Sequence, residues 1–387
     1  MVERQRIAVF LGTRPEGIKL APVIAALRAD PAVETVVVST GQHDELLDQV
    51  VRIFGIHVDH HLAVMRPDQT LASLTSRLLT RIDAVLDAAR PAMALVQGDT
   101  TTVLAAALAC FYRAIPVGHV EAGLRTGDLR SPFPEEANRV LASRLSTLHF
   151  APTEAARRNL LAEGVAPERV LVTGNTVIDA LFMELARQAD ATVASGIDRG
   201  LAAVLGDSWP GAPLVLITGH RRENFGGGFI GICDAIRLLA ARFPGMQFVY
   251  PVHLNPNVHG PVMERLAGLP NVHLLPPVDY PVFVRLMQHC RLVLTDSGGV
   301  QEEAPSLGKP VLVMRNTTER PEGIEAGTAR LVGTEPATIV AAVSELLSSE
   351  AAYQAMANAR NPYGDGQSAA RIVRAIHAHL SSAPCAF

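Results

Sequence analysis

Short apolar runs rich in Val, Ile and Leu alternate with longer stretches of helical periodicity along the whole chain, and nothing else in the sequence restricts the fold as much. "RIAVFLG" (6–12) reads as a strand, and the helix after it is expected over about 16–29. Further strands are expected at 35–40, 92–98, 116–121, "LHFAP" (148–152) and 169–174, with helices over 71–89, 100–114 and from 153. The pattern then restarts, with strands at 213–219, 247–252, 272–277, 291–299, 310–314 and 329–333. Strands apolar on both faces suit a parallel sheet covered by helices. The expected fold is therefore α/β, as two doubly wound, Rossmann-like domains. The first is expected over 1–173 and the second over 174–366, with 367–387 packing back on the first. Between them, 175–213 reads as a helix followed by a Gly/Asp/Ser/Pro-bearing connection, and "NPYGDGQ" (361–367) is a second break before a last amphipathic helix.

At 387 residues the chain is long enough for roughly two to three domains. Lys and Arg total 34 against 38 Asp and Glu, a net charge of −4, which disfavours generic binding of nucleic acid or an anionic membrane but not a local cationic pocket. Cys110, Cys233, Cys290 and Cys385 lie far apart, which fits buried thiols in a reducing compartment. No run is apolar for the ~18 residues of a membrane span, and the N-terminal apolar run is too short for a signal peptide, so a cytoplasmic location is expected.

Ligands of doubly wound sheets bind beyond the carboxyl ends of strands, which is where the unusual residues fall. "GTRPEGIK" (12–19) follows the first strand; its glycine spacing is that of a P-loop, but Ile18 and Lys19 replace the Lys-Ser/Thr pair. Arg14 and Lys19 at a helix start suggest an anion site, whereas Pro15 and Glu16 suit an ordinary first turn. In "TDSGGVQEE" (295–303), Ser297, Gly298 and Gly299 can offer bare N–H groups to a phosphate, with Glu302 and Glu303 one turn on. "TGHRREN" (218–224) crowds His220, Arg221 and Arg222 at a strand end, before a glycine run that suggests a mobile closing loop. Asp99 of "QGDTTT" alone would be a helix cap. Glu121, however, ends a strand expected to neighbour that of Asp99, and "SPFPEE" carries Glu135 towards the same rim. Three acids held together should raise at least one pKa and supply an acid or base near neutrality. No zinc, EF-hand or HExxH pattern is present, and His60-His61 reads as a surface pair rather than a metal site.

Together with "PVGHVEAGLRTGD", "VTGNTVIDAL", "YPVHLNPNV", "SLGKPVLV" and "TTERPEG", these motifs resemble the bacterial non-hydrolysing UDP-N-acetylglucosamine 2-epimerases, over about residues 6–375. The resemblance implies a glycosyltransferase-B architecture with the ligand in the interdomain cleft, and no redox cofactor or metal. It implies interconversion of UDP-GlcNAc and UDP-ManNAc, by anti elimination of UDP to 2-acetamidoglucal and re-addition, supplying ManNAc for cell-surface polysaccharide. It implies proton transfer by Asp99, Glu121 and Glu135, a catalytic His220 that with Arg14 and Lys19 stabilises the departing UDP, and contacts to UDP from Ser297, Gly298 and Gly299. Glu303 then matches a ribose ligand, Phe283 the uracil pocket and Arg320 a further residue near the nucleotide. A homodimer is implied as well. Many members carry an activating second UDP-GlcNAc, for which Gln42, Arg221 and His253 stand at matching positions. Glu45 replaces a Gln and Asp68 an Arg of some relatives, so a weak, hyperbolic response is expected. The alternatives are a hydrolysing epimerase releasing ManNAc and UDP, an epimerase of a diacetamido uronic acid nucleotide, a glycosyltransferase on the same fold, and a non-catalytic UDP-sugar sensor.

Overall fold

Ile7 to Leu11 lie wholly out of solvent, because this strand is covered on both faces, as its uninterrupted apolar run requires. The structure is a computed structural model and describes residues 4–41, 44–206 and 209–382. Among these residues the first sheet holds β1 (Gln5–Leu11), β2 (Val33–Ser39), β3 (His60–His61), β4 (Met93–Gln97), β5 (Val117–Val120), β6 (Leu148–Ala151) and β7 (Val170–Val172). Their order is β3-β2-β1-β4-β5-β6-β7, and every pairing is parallel. The second sheet holds β8 (Leu214–Thr218), β9 (Gln247–Pro251), β10 (Val272–Leu275), β11 (Leu292–Thr295), β12 (Val311–Val313) and β13 (Ala329–Leu331), in the order β10-β9-β8-β11-β12-β13. Both orders reverse direction once, between β1 and β4 and between β8 and β11. Such a reversal opens a crevice at the carboxyl ends of the two central strands.

The chain divides into two compact units, Met1–Ala180 with Tyr363–Phe387, and Leu181–Pro362. In the first, one layer of core packs the helix Arg14–Arg28 and the last helix, Ser368–Ser382, on the sheet, with Ile372 and Ile376 fully buried. The other layer packs the helices Leu71–Ala89 and Thr101–Tyr112 on the opposite face. Each fully buried Ile, Leu or Phe contributes about 1.5–3 kcal/mol relative to exposure. In the second unit, Phe229, Ile232, Ile236 and Leu239 of the helix Gly227–Arg242 meet Phe248, Tyr250 and Leu294 of the sheet.

Two expectations need correction. Residues 175–213 are not a helix followed by an irregular connection: Thr176–Gln188 is followed by a second helix, Ala191–Leu205, capped by Asp190. The glycine run after Phe225 is not a mobile loop either. Gly226, at φ 77, turns the chain, and Gly227 and Gly228 begin the helix Gly227–Arg242. Gly231 lets that helix approach the carbonyl of Thr334, where a Cβ would sit 2.4 Å from the oxygen.

Gly123, just beyond β5, has φ +92, and a Cβ there would lie 2.3 Å from the carbonyl oxygen of Ala156. Backbone cannot move aside as a side-chain tip can. Gly123→Ala is expected to cost about 2–3 kcal/mol, from overpacking and a forbidden φ together, read as a lower urea midpoint at unchanged m.

Candidate active site

In the first unit, the loops after β1, β4 and β5 converge because these strands are adjacent and parallel. Gln97 and Val120 are register partners, so Asp99 and Glu121 leave neighbouring strand ends, as expected. Glu121 is buried, with φ +64. Three donors meet its carboxylate. Lys19 Nζ lies 2.5 Å and Asn175 Nδ2 3.2 Å from Oε1, and Gln97 Nε2 donates to Oε2. Asp99 is half-buried, and both Nε and Nη2 of Arg139 donate to its Oδ2, at 3.1 and 2.6 Å. Glu135 is half-buried and opens the helix Glu135–Leu145. From that helix Asn138 holds the Asp99 carbonyl at 2.8 Å, while buried Glu136 takes Arg139 Nη1 at 2.7 Å and the backbone N–H groups of Thr126 and Gly127.

Asp99 and Glu121 thus each face a cation, Arg139 and Lys19, and not one another alone. Burial raises the Glu16 carboxyl to about 7, against the lowering effect of bonds from Thr13, Thr100 and Gly12, and raises Asp179 as well. Glu16 also ties down the turn just before the helix Arg14–Arg28. Gly12 N and Thr13 Oγ1 donate to its Oε2 at 3.1 and 2.7 Å. Half-buried Arg14 sits between these donors and Glu16.

Beneath the acids lie two buried histidines, His119 and His149, register partners on β5 and β6. His119 Nε2 lies 2.8 Å from the Gly98 carbonyl, so that nitrogen carries the proton. Nδ1 of each ring is buried without a partner among the described residues. Desolvation lowers His119 to about 4 and His149 to about 3. A folded pKa below the unfolded value near 6.5 gives stability that is present above pH 6.5 and lost as pH falls. Glu16 acts in the opposite sense, losing its contribution as pH rises towards 7. Two histidines outweigh one glutamate, so these three groups together should remove about 1.4 kcal/mol of stability per unit fall in pH around pH 5.5, and lowered His220, His273 and His289 steepen that loss, measured by urea unfolding. His149→Leu should flatten that slope.

In the second unit, the loops after β8 and β11 meet over buried Asp296. Its carboxylate accepts His220 N at 3.1 and 3.0 Å, Arg221 N at 2.9 Å and Asn224 Nδ2 at 3.1 Å. Tyr250 Oη donates to the Gly219 carbonyl at 3.1 Å. The His220 ring stays 42% accessible, with Nδ1 3.7 Å from Asp296 Oδ1. Desolvation lowers its pKa, against the pull of Asp296 and aided by Arg221 and His253. His253 stacks on it with centroids 5.6 Å apart, and its Nδ1 accepts Asn255 N at 3.1 Å. Arg221 Nη1 lies 3.7 Å from Glu319, whose carboxyl the bonds from Arg315 and the field of Arg221 hold at about 2 in spite of burial. Gln42 lies outside the described residues.

Ser297 caps the helix Gly298–Glu303 through its extended backbone. A Cβ on Gly298 would lie 3.2 Å from Arg320 Cζ, so that glycine makes room for a guanidinium, which donates to Glu302 at 2.9 Å. Gly299 follows in the first turn. Buried Glu303 accepts Tyr280 Oη at 2.7 Å, from the same helix, Tyr280–His289, that carries half-buried Phe283. Among the described residues no group of three His, Cys, Asp or Glu is placed to hold a metal, and no helix is long and apolar enough to cross a membrane.

The family model described as UDP-N-acetylglucosamine 2-epimerase matches residues 25–377. The chain is 54% identical over 374 residues to the UDP-N-acetylglucosamine 2-epimerase of Yersinia pestis, covering 97% of this chain and 99% of that one. It belongs to the UDP-N-acetylglucosamine 2-epimerase family. The Escherichia coli K12 epimerase is similar over 372 residues, again at 54% identity, covering 96% of this chain and 98% of that one. The crystal structure of the Neisseria meningitidis UDP-GlcNAc 2-epimerase bound to UDP-GlcNAc has a TM-score of 0.90 at 46% identity, covering 97% of this chain and 100% of that one. The two-domain, glycosyltransferase-B-like α/β fold is thus that of the 2-epimerases.

Within this 2-epimerase family member, sequence reading passed over Glu16 and Asp296. Both stand inside motifs that drew attention for other residues. Their partners lie far away in sequence, Thr100 84 positions from Glu16 and His220 76 from Asp296.

Proposed function

We propose that the chain interconverts UDP-GlcNAc and UDP-ManNAc without hydrolysis. The observation that carries this reading is the buried Glu121 carboxylate under three donors, one strand away from Asp99. A carboxylate fixed at this rim is placed to take a proton from the sugar. In the proposed reaction a carboxylate removes the C2 proton, the electron pair forms the C1=C2 bond, and the C1–O bond to UDP breaks. UDP then re-adds to C1 while a proton is delivered to the opposite face of C2. Asp99 and Glu135 are the partners proposed for the second proton, with His220 beside the departing phosphate. Arg14, Lys19, Arg320 and the Ser297–Gly299 turn answer its growing charge. Glu303 is proposed to hold the ribose and Phe283 the uracil.

The relatives support the substrate: the Neisseria structure is described as bound to UDP-GlcNAc, and one from Methanocaldococcus jannaschii as in complex with UDP-GlcNAc and UDP. A homodimer is part of the same proposal. Phe111 and Tyr112, 58% and 72% exposed at the end of one helix, and Leu141 are among the exposed apolar side chains available to it. Regulation is proposed to be weak: the rate should rise hyperbolically with UDP-GlcNAc. A sigmoidal curve abolished by Arg221→Ala would contradict that. The reaction itself is tested by separating its products. UDP-ManNAc in equilibrium with UDP-GlcNAc is expected, whereas free ManNAc with stoichiometric UDP would identify a hydrolysing enzyme.

A further inference from the structure

We propose that Glu16 is a positioning residue for the epimerisation, its buried carboxyl tying the loop after β1 to the loop after β4 and so fixing Arg14 and Asp99. The proposal rests on the reaction given above. Glu16 is 2% exposed, so it does not meet the substrate. Its Oε2 accepts Gly12 N and Thr13 Oγ1, the residues just before Arg14. Its Oε1 accepts Thr100 Oγ1 at 2.8 Å, the residue just after Asp99. Thr100 in turn caps the helix Thr101–Tyr112 through Val103 N. The two loops also touch directly. A Cβ on Gly12 would lie 2.4 Å from Thr102 Oγ1, and Thr102 Oγ1 is 3.0 Å from Thr40 Oγ1. Close packing of this kind leaves room for few rearrangements, and one buried acid joins both sides.

Burial that raises the Glu16 pKa to about 7 gives the group a substantial neutral fraction near neutrality, in which one oxygen accepts and the other donates. Glutamine offers the same pair: Oε1 to Gly12 N and Thr13, Nε2 to Thr100 Oγ1. The carboxyl is thus a tie rather than a charge, and Glu16→Gln should preserve it. Misplacing a reacting group by ~1 Å costs ~100-fold in rate.

The test compares Glu16→Ala and Glu16→Gln in the full chain, first confirming by thermal melting that both fold. Glu16→Ala should lower kcat for UDP-GlcNAc by ~100-fold and increase the isotope effect on C2-deuterated substrate, because proton removal becomes limiting. Glu16→Gln should stay within about threefold of wild type. Loss of kcat with an unchanged isotope effect would mean less competent protein rather than misplaced groups, and would overturn the proposal. Full activity in Glu16→Ala, or equal loss in both variants, would overturn it too. Amide hydrogen exchange gives a readout independent of the reaction. Segments 12–16 and 99–103 should exchange faster in Glu16→Ala alone. If wild type turns over no UDP-GlcNAc, the reaction reading fails, while the exchange result still decides the tie.

Discussion

Glu121→Gln is expected to lower kcat by about a thousandfold, within the range that loss of a general base produces, and to change UDP affinity by less than about threefold. The amide keeps the size of the carboxylate but not its acceptors. Glu121 meets Lys19 and Asn175 through one oxygen and Gln97 through the other. An amide can face its oxygen to only one of those sides, so one donor goes unanswered. Lys19, 12% exposed, then loses the charge of Glu121, and a stability loss of about 1–3 kcal/mol should accompany the kinetic one. Circular dichroism melts and UDP titration separate the two effects. A variant with normal kcat would remove Glu121 from the chemistry.

Asp296→Ala should be among the most destabilising single changes in the second unit, by about 3 kcal/mol. The substitution strips the acceptor from His220 N, Arg221 N and Asn224 Nδ2, and nothing replaces it in a site closed to solvent. Urea unfolding followed by hydrogen exchange in segments 214–242 should show the loss there. Asp296→Asn keeps one acceptor oxygen and should cost roughly half as much. An unchanged midpoint in Asp296→Ala would show that the loop after β8 is held by other contacts, such as Tyr250 Oη to Gly219.

How far the sequence carried the fold can be traced to particular residues. Strands such as β4 and β8 announced themselves because both faces are buried, so every position but the last of each, Gln97 and Thr218, is apolar. The nearness of Asp99 and Glu121 followed from the order of parallel strands, which is local information once alternation is recognised. The helix Ala191–Leu205 did not announce itself. Gly196 and Gly200 lie within it, and added Cβ atoms there would meet open space, so glycine at these sites is read locally as loop chemistry with no tertiary constraint to correct it. The glycines after Phe225 misled in the same way, since Gly227 and Gly228 open a helix although glycine there reads locally as loop. Arg320 gives Gly298 a second reason to be glycine, one that no local window shows. Glu16 is the sharpest case. Locally it is an acid in a first helical turn, worth ~0.3–1 kcal/mol. Its real environment needs Thr100 and full burial, neither of which any window around Glu16 contains.

The central claim is that a carboxylate strips hydrogen from the sugar carbon adjacent to the departing diphosphate. Proton NMR of UDP-GlcNAc turned over in D₂O tests this most directly. Deuterium is expected at C2 of the UDP-ManNAc formed and of recovered UDP-GlcNAc, at a rate that falls with Glu121→Gln. UDP-ManNAc that retains its original C2 hydrogen would contradict it.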